Sequence, residues 1–113
     1  MHEYGIACEI VSIAAAEAAK HGARKVTRIR LLVGVLRGVV ADHLSFLFEN
    51  AAKGSVAEGA ELAIEEEPVS VSCGACGTFA ALRFAISCPR CGGMVDGVSG
   101  GDALRIVSLD IDG

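Results

Sequence analysis

The chain has 113 residues, about one small domain by the usual length prior. Although 52% of its residues are hydrophobic, it holds no tryptophan, one tyrosine and four phenylalanines, so its core must be aliphatic and rich in alanine. The net charge of −4 is spread as −3 over residues 1–68, +1 over 69–101 and −2 over 102–113. No basic footprint for a phosphate backbone exists, and the longest uncharged runs fall short of a membrane span.

In chain order, residues 6–20 predict a helix with Ile6, Ile10, Ile13 and Ala14 on its buried stripe, joined by Val11 and Ala18. Glu9 and Glu17 interrupt the apolar run and no basic segment leads it, which argues against a secretion signal. His21-Gly22 supplies a helix stop. Residues 25–36 switch to period two, with Ile29, Leu31, Val33 and Val35 on one face and Arg28 and Arg30 on the other. Glycine turns at Gly34 and Gly38 are expected to end that strand. A second helix is expected over 42–53, burying Leu44, Leu47, Phe48 and Ala51, with Gly54 at its end. Phe46 lies off that stripe and is expected either to pack beneath the cysteine module, the favoured reading, or to face a partner.

Residues 60–67 read as a strand with Leu62 and Ile64 inward, and Glu61, Glu65 and Glu67 outward toward Arg28 and Arg30. Residues 103–111 read as a last strand whose apolar phase slips, which implies a bulge near 106 and 107. The order helix, strand, helix, strand, cysteine module, strand implies an α+β fold: a small mixed β-sheet packed with two α-helices, plus an inserted zinc-ribbon-like module. The expected division is an α+β domain of residues 1–68 and 102–113 around a metal module of residues 69–101.

Two cysteine pairs dominate the chemistry: Cys73-Gly-Ala-Cys76 and Cys88-Pro-Arg-Cys91. A tight turn within each pair brings two sulfurs to one point, and a hairpin joins the pairs into a tetrahedral S₄ cage suited to Zn²⁺. Gly74, Gly77, Gly92 and Gly93 supply the turning freedom. A closed cage leaves no open coordination position, so its role is structural. It would supply folding energy to a module whose apolar anchors are Phe79, Leu82, Phe84 and Ile86. Iron in the same cage is the alternative, which would make the chain a rubredoxin-like electron carrier. Thiolate-type pairs fit a reducing compartment better than a disulfide framework, which places the chain in the cytoplasm.

The chain opens Met1-His2-Glu3. An unblocked Met1 amine, the His2 amide nitrogen and the His2 imidazole can chelate one metal in fused rings, and Glu3 can add an amide nitrogen or a carboxylate. Nickel(II) and copper(II) favour such square-planar nitrogen sets. Taken alone this pattern is weak, since a histidine at position 2 is usually just exposed.

Together these features resemble the HypA/HybF family, the nickel metallochaperones of [NiFe]-hydrogenase maturation. The likeness rests on Met1-His2-Glu3, Gly22-Ala23-Arg24-Lys25-Val26, Leu44-Ser45-Phe46-Leu47-Phe48-Glu49 and Ala57-Glu58-Gly59-Ala60. It continues through both cysteine pairs with Gly92-Gly93 and through Leu104-Arg105-Ile106-Val107-Ser108-Leu109. The resemblance implies that His2, helped by Met1 and Glu3, binds nickel as cargo. It likewise implies that Cys73, Cys76, Cys88 and Cys91 hold structural zinc. It further implies a non-enzymatic protein that works with a HypB-type GTPase and serves the hydrogenase large-subunit precursor and sometimes urease. The sequence leaves open whether the chain is a monomer or a weak homodimer. Gly5 departs from the serine common in that family.

Other residues have plainer readings. Cys8 is expected to be a small packing residue, His21 a helix-end charge and His43 a surface side chain. No nucleophile–base arrangement or phosphate-cradling glycine loop is present, so catalysis has no support.

Overall fold

The computed structural model describes residues 2–83 and 87–113, with the backbone alone at His2. Phe84 and Ile86 therefore lie outside the described residues. The chain divides into two units, one of residues 1–31, 39–64 and 105–113, the other of residues 32–38 and 65–104.

In the first unit, helix α1 (His2–Lys20) packs against helix α2 (Ala41–Ala52). The buried face of α1 carries Ala7, Ile10, Ala14 and Ala18, spaced three or four residues apart. This corrects the expected stripe, because Ile13 is 46% exposed. Helix separation follows the side chains at the contact, so three methyl groups allow a closer approach than isoleucines would. Helix α2 answers with Leu44, Phe48 and Ala52, one turn apart and buried. Leu47 and Ala51 are only half-buried. Phe46 is 63% exposed.

Helix α1 also begins four residues before its apolar periodicity does, with Glu3 in its first turn, where a negative charge is favourable. It ends as the sequence implies. Gly22 takes φ +65°, its N–H donates to Ala19 O at 3.2 Å, and the Ala23 N–H donates to Ala18 O at 2.9 Å. That pair of bonds is the Schellman closure.

Strand β1 (Lys25–Gly34) is the middle of a three-stranded sheet, flanked by β2 (Glu61–Glu67) and β6 (Leu104–Asp112). Ile29, Leu31 and Val33 are buried as expected. Val26 is buried out of phase, and its N–H donates to Val56 O at 2.9 Å. The strand stops at Gly34, and a 3₁₀ turn over Val35–Arg37 replaces its expected continuation. Arg28 Nε meets Glu61 Oε1 at 3.6 Å, an exposed pair that contributes little. Burial along β6 alternates through Leu104, Ile106 and Ser108 and slips at Leu109, two residues beyond the expected point. Ile13, Glu17, Ile106 and Val107 help line an open groove of about 390 Å³ within this unit. Among the described residues, no helix is long and apolar enough to cross a membrane.

In the second unit, β3 (Val69–Cys73) lies between β4 (Gly77–Ala81) and β5 (Gly97–Gly100), antiparallel to both. Its inward side chains are Val69 and Val71, both buried, alternating with Ser70 and Ser72. Leu82, expected as an anchor, is 59% exposed. Near the ends of this unit two glycines touch. A Cβ on Gly34 would fall inside the Gly101 carbonyl, and one on Gly101, at φ +75°, would enter the Val69 side chain. Gly34 itself is extended (φ −72°), so close approach rather than a turn requires it.

These two environments predict opposite alanine effects. Gly34→Ala is expected to cost about 1–3 kcal/mol through overpacking against backbone. Gly5→Ala, at a helical position with open space around it, is expected to add roughly 0.5–1 kcal/mol. Chemical denaturation of both variants beside the parent checks the pair.

Candidate metal centre

The antiparallel register of β3 and β4 builds the first half of the site. Cys73 ends β3 opposite Gly77, which opens β4 at φ +82°, so the intervening turn carries Cys76 back toward Cys73. The second half is a tight loop: the Cys88 N–H donates to Gly93 O at 2.6 Å, and the Gly92 N–H donates to Cys88 O at 2.8 Å. Ser87 and Met94 bridge across its base. Gly77 and Gly92 have the positive φ that the sequence implied, whereas Gly74 and Gly93 do not.

The four sulfurs of Cys73, Cys76, Cys88 and Cys91 lie within 4.8 Å of one another. Cys73 Sγ is 3.7 Å from Cys91 Sγ, and Cys88 Sγ is 3.9 Å from Cys76 Sγ. A regular tetrahedron with metal–sulfur bonds of about 2.3 Å has edges of about 3.8 Å, so the spacing suits a zinc ion at its centre. Backbone donors already face the sulfurs. The Arg90 N–H points at Cys88 Sγ and the Gly93 N–H at Cys91 Sγ, each at 3.4 Å.

Electrostatics lead to the same conclusion. Burial works against ionising Cys88, but the backbone N–H groups of Cys91 and Arg90 hold its thiol down to about 7. The hydrogen bond with Cys91, then burial, push Cys76 up to about 12. Four thiolates cannot share this space unless a cation joins them. Cys73 and Cys88 are buried and Cys91 exposed, so the cage sits at the unit's surface with its four ligand positions filled. Its donor set suits a structural metal and leaves no open position for a substrate.

One contact beside the cage had no sequence signal. The Arg90 guanidinium stacks 4.0 Å from the centroid of the half-buried Phe79 ring, tying the second loop to β4. Only the folded register makes these neighbours.

At the other candidate site, Met1 and the side chain of His2 lie outside the described residues. Glu3 is half-buried, and its Oε2 accepts the Val40 N–H at 2.8 Å. Cys8 is exposed rather than packed, which corrects its expected role. Its hydrogen bond to Tyr4, one turn earlier, raises the tyrosine's pKa. His21 and His43 are exposed, as expected.

A family model described as hydrogenase/urease nickel incorporation, metallochaperone, hypA matches residues 1–111. The chain belongs to the HypA family. The hydrogenase maturation factor HypA of Chloroflexus aggregans is 43% identical over 112 residues, covering 97% of this chain and 98% of that one. The factor of the same name from Chlorobium limicola is 40% identical over 113 residues, covering 99% and 97%. The solution structure of the Ni metallochaperone HypA from Helicobacter pylori superposes with a TM-score of 0.68 at 25% identity, covering 99% of this chain and 98% of that one. The chain is thus a nickel metallochaperone of hydrogenase and urease maturation with a Cys₄ metal site, and the family's work is metal handling rather than electron transfer.

Since structural zinc in small modules supplies roughly 10–16 kcal/mol of binding energy, Cys88→Ser is expected to abolish zinc retention and the ordered strands β3–β5. The α1–α2 packing has its own core and is expected to persist. Metal analysis with far-ultraviolet circular dichroism and amide resonances of Val69–Cys73 would check both halves.

Proposed function

We propose that this HypA protein is a non-enzymatic cytoplasmic carrier that binds Ni(II) at its N-terminus. With a HypB-type GTPase it would pass the ion to the [NiFe]-hydrogenase large-subunit precursor, and to urease where one is served. The ligands in this reading are the Met1 amine, the His2 amide and imidazole nitrogens, and Glu3 through its amide nitrogen or its carboxylate. The observation that carries it is the family match beginning at residue 1, which includes Met1-His2-Glu3 in the shared extent. The start of α1 at His2 supports it physically. The first N–H groups of a helix have no intrahelical acceptor, so the amides of residues 2 and 3 are free to lose a proton to a metal. Nickel favours the resulting square-planar nitrogen set more than zinc does.

The reading divides labour between a nickel-binding domain of residues 1–68 and 102–113 and a zinc-binding domain of residues 69–101. Soft sulfur holds a resident ion, while terminal nitrogen hands over a travelling one.

Nickel titration of protein with a native terminus, compared with His2→Ala and with a version extended before Met1, tests the proposal. Both variants are expected to lose tight nickel binding and keep zinc. Undiminished nickel affinity in either would overturn the ligand set. Protons compete with nickel for the amine, ordinarily near pKa 7.7–8.0, and the imidazole, ordinarily near 6.5. Affinity therefore falls by at least about a hundredfold between pH 8 and pH 6, and the amide protons that the metal displaces steepen the fall. Calorimetry at the two pH values measures this directly.

A further inference from the structure

Helix α2 begins without a cap of its own. Its N-cap residue is Val40, which has no side-chain acceptor, and the third helical position is His43 where a capping box would place glutamate or glutamine. The acceptor comes from the other helix. Glu3 Oε2 takes the Val40 N–H at 2.8 Å across a separation of 37 residues, the same bond a capping-box glutamate makes from within its own helix. The carboxylate also sits at the end of α2 where negative charge is favourable. Val40 O meanwhile accepts the Leu44 N–H at 3.0 Å, so the first turn of α2 forms at this point.

We propose that Glu3 is a positioning residue. Its carboxylate caps α2, thereby fixes the first turn of α1, and is not itself a nickel ligand. The proposal rests on the N-terminal nickel reading and refines it: Glu3 reaches nickel through its backbone nitrogen only, while its side chain anchors the neighbouring His2 backbone. Residue 3 closes the proposed chelate through its amide nitrogen, so tethering its side chain reduces the freedom that binding must remove. A carboxylate occupied by a backbone donor is also poorly placed to swing onto a metal.

The test uses full-length, zinc-loaded protein and Ni(II) as the probe. Glu3→Ala is expected to speed hydrogen exchange at the Val40 amide and to weaken nickel binding about five- to tenfold. Glu3→Gln keeps an acceptor oxygen and is expected to recover most of that loss. Val40→Pro removes the donor and leaves Glu3 untouched. The Val40 N–H makes no helical bond, so proline there removes none from the helix and needs only a modest change from φ −91°. This variant is expected to match Glu3→Ala in affinity, and combining the two is expected to add nothing further. The visible absorption of bound nickel should be the same in every variant, because the ligand set does not change.

A shifted nickel spectrum in both glutamate variants would make the carboxylate a ligand and overturn the proposal. So would wild-type affinity in a folded, zinc-loaded Val40→Pro protein, or a Val40 amide that exchanges freely in the parent. His2→Ala separates the levels. If it binds nickel as well as the parent does, the N-terminal chelate fails and the positioning role falls with it, while slow Val40 exchange would still establish the cap.

Discussion

Thiolates confined within 4.8 Å of one another repel, and the second unit has few apolar side chains with which to hold them there. Among its described residues only Val33, Val69 and Val71, beside Cys73 and Cys88 themselves, are buried hydrophobics. The metal therefore does what a hydrophobic core does elsewhere, and it does so by cancelling charge. Both loops are shaped for this outcome, with backbone N–H groups aimed at sulfur before any ion arrives. Removing the cation would leave neighbouring like charges and a sheet too small to contain them.

The first unit solves its packing in a different way. Its stability comes from close helix contact along an alanine-lined stripe and from a sheet face of Val26, Ile29 and Leu31. Its buried side chains, among the described residues, are apolar and include no metal ligand. Such a core suits the proposed carrier role, since a protein that releases its cargo must keep its shape once the cargo has left. A resident ion in one unit and a transferable one in the other require opposite coordination habits. The closed sulfur shell has the resident habit; the proposed chelate of a terminal amine, an imidazole and amide nitrogens has the other.

What the sequence made legible follows from how local each signal is. The cysteine cage could be read directly, because two short spacings and one hairpin specify it. The Schellman end of α1 and the buried positions Ile29, Leu31 and Val33 are also local matters of a glycine and a period of two. The errors have a shared cause. Ile13 was read as inward because it is large and apolar, yet helix contact selected Ala7 instead, a preference set by the partner helix. The first turn of α1 carries no apolar period, so pattern reading started the helix too late. The bond from Val40 to Glu3 and the stacking of Arg90 on Phe79 join residues that no window along the chain holds together in these roles. Val40 gave a negative hint only, as a helix start without a polar cap.

The glycine contact in the second unit bears on how sequences of this fold can vary. Where Gly34 meets Gly101, main chain rests on main chain, and two adjoining bonds lock the alignment: the Gly34 N–H to Ala103 O and the Leu36 N–H to Gly101 O, both at 2.7 Å. Substituting a neighbouring side chain leaves that seam intact. Inserting a single residue between Gly101 and Leu104 does not, because β6 would then enter its sheet one step out of phase and turn its inner face outward. Length in this short stretch is thus a stricter inheritance than composition.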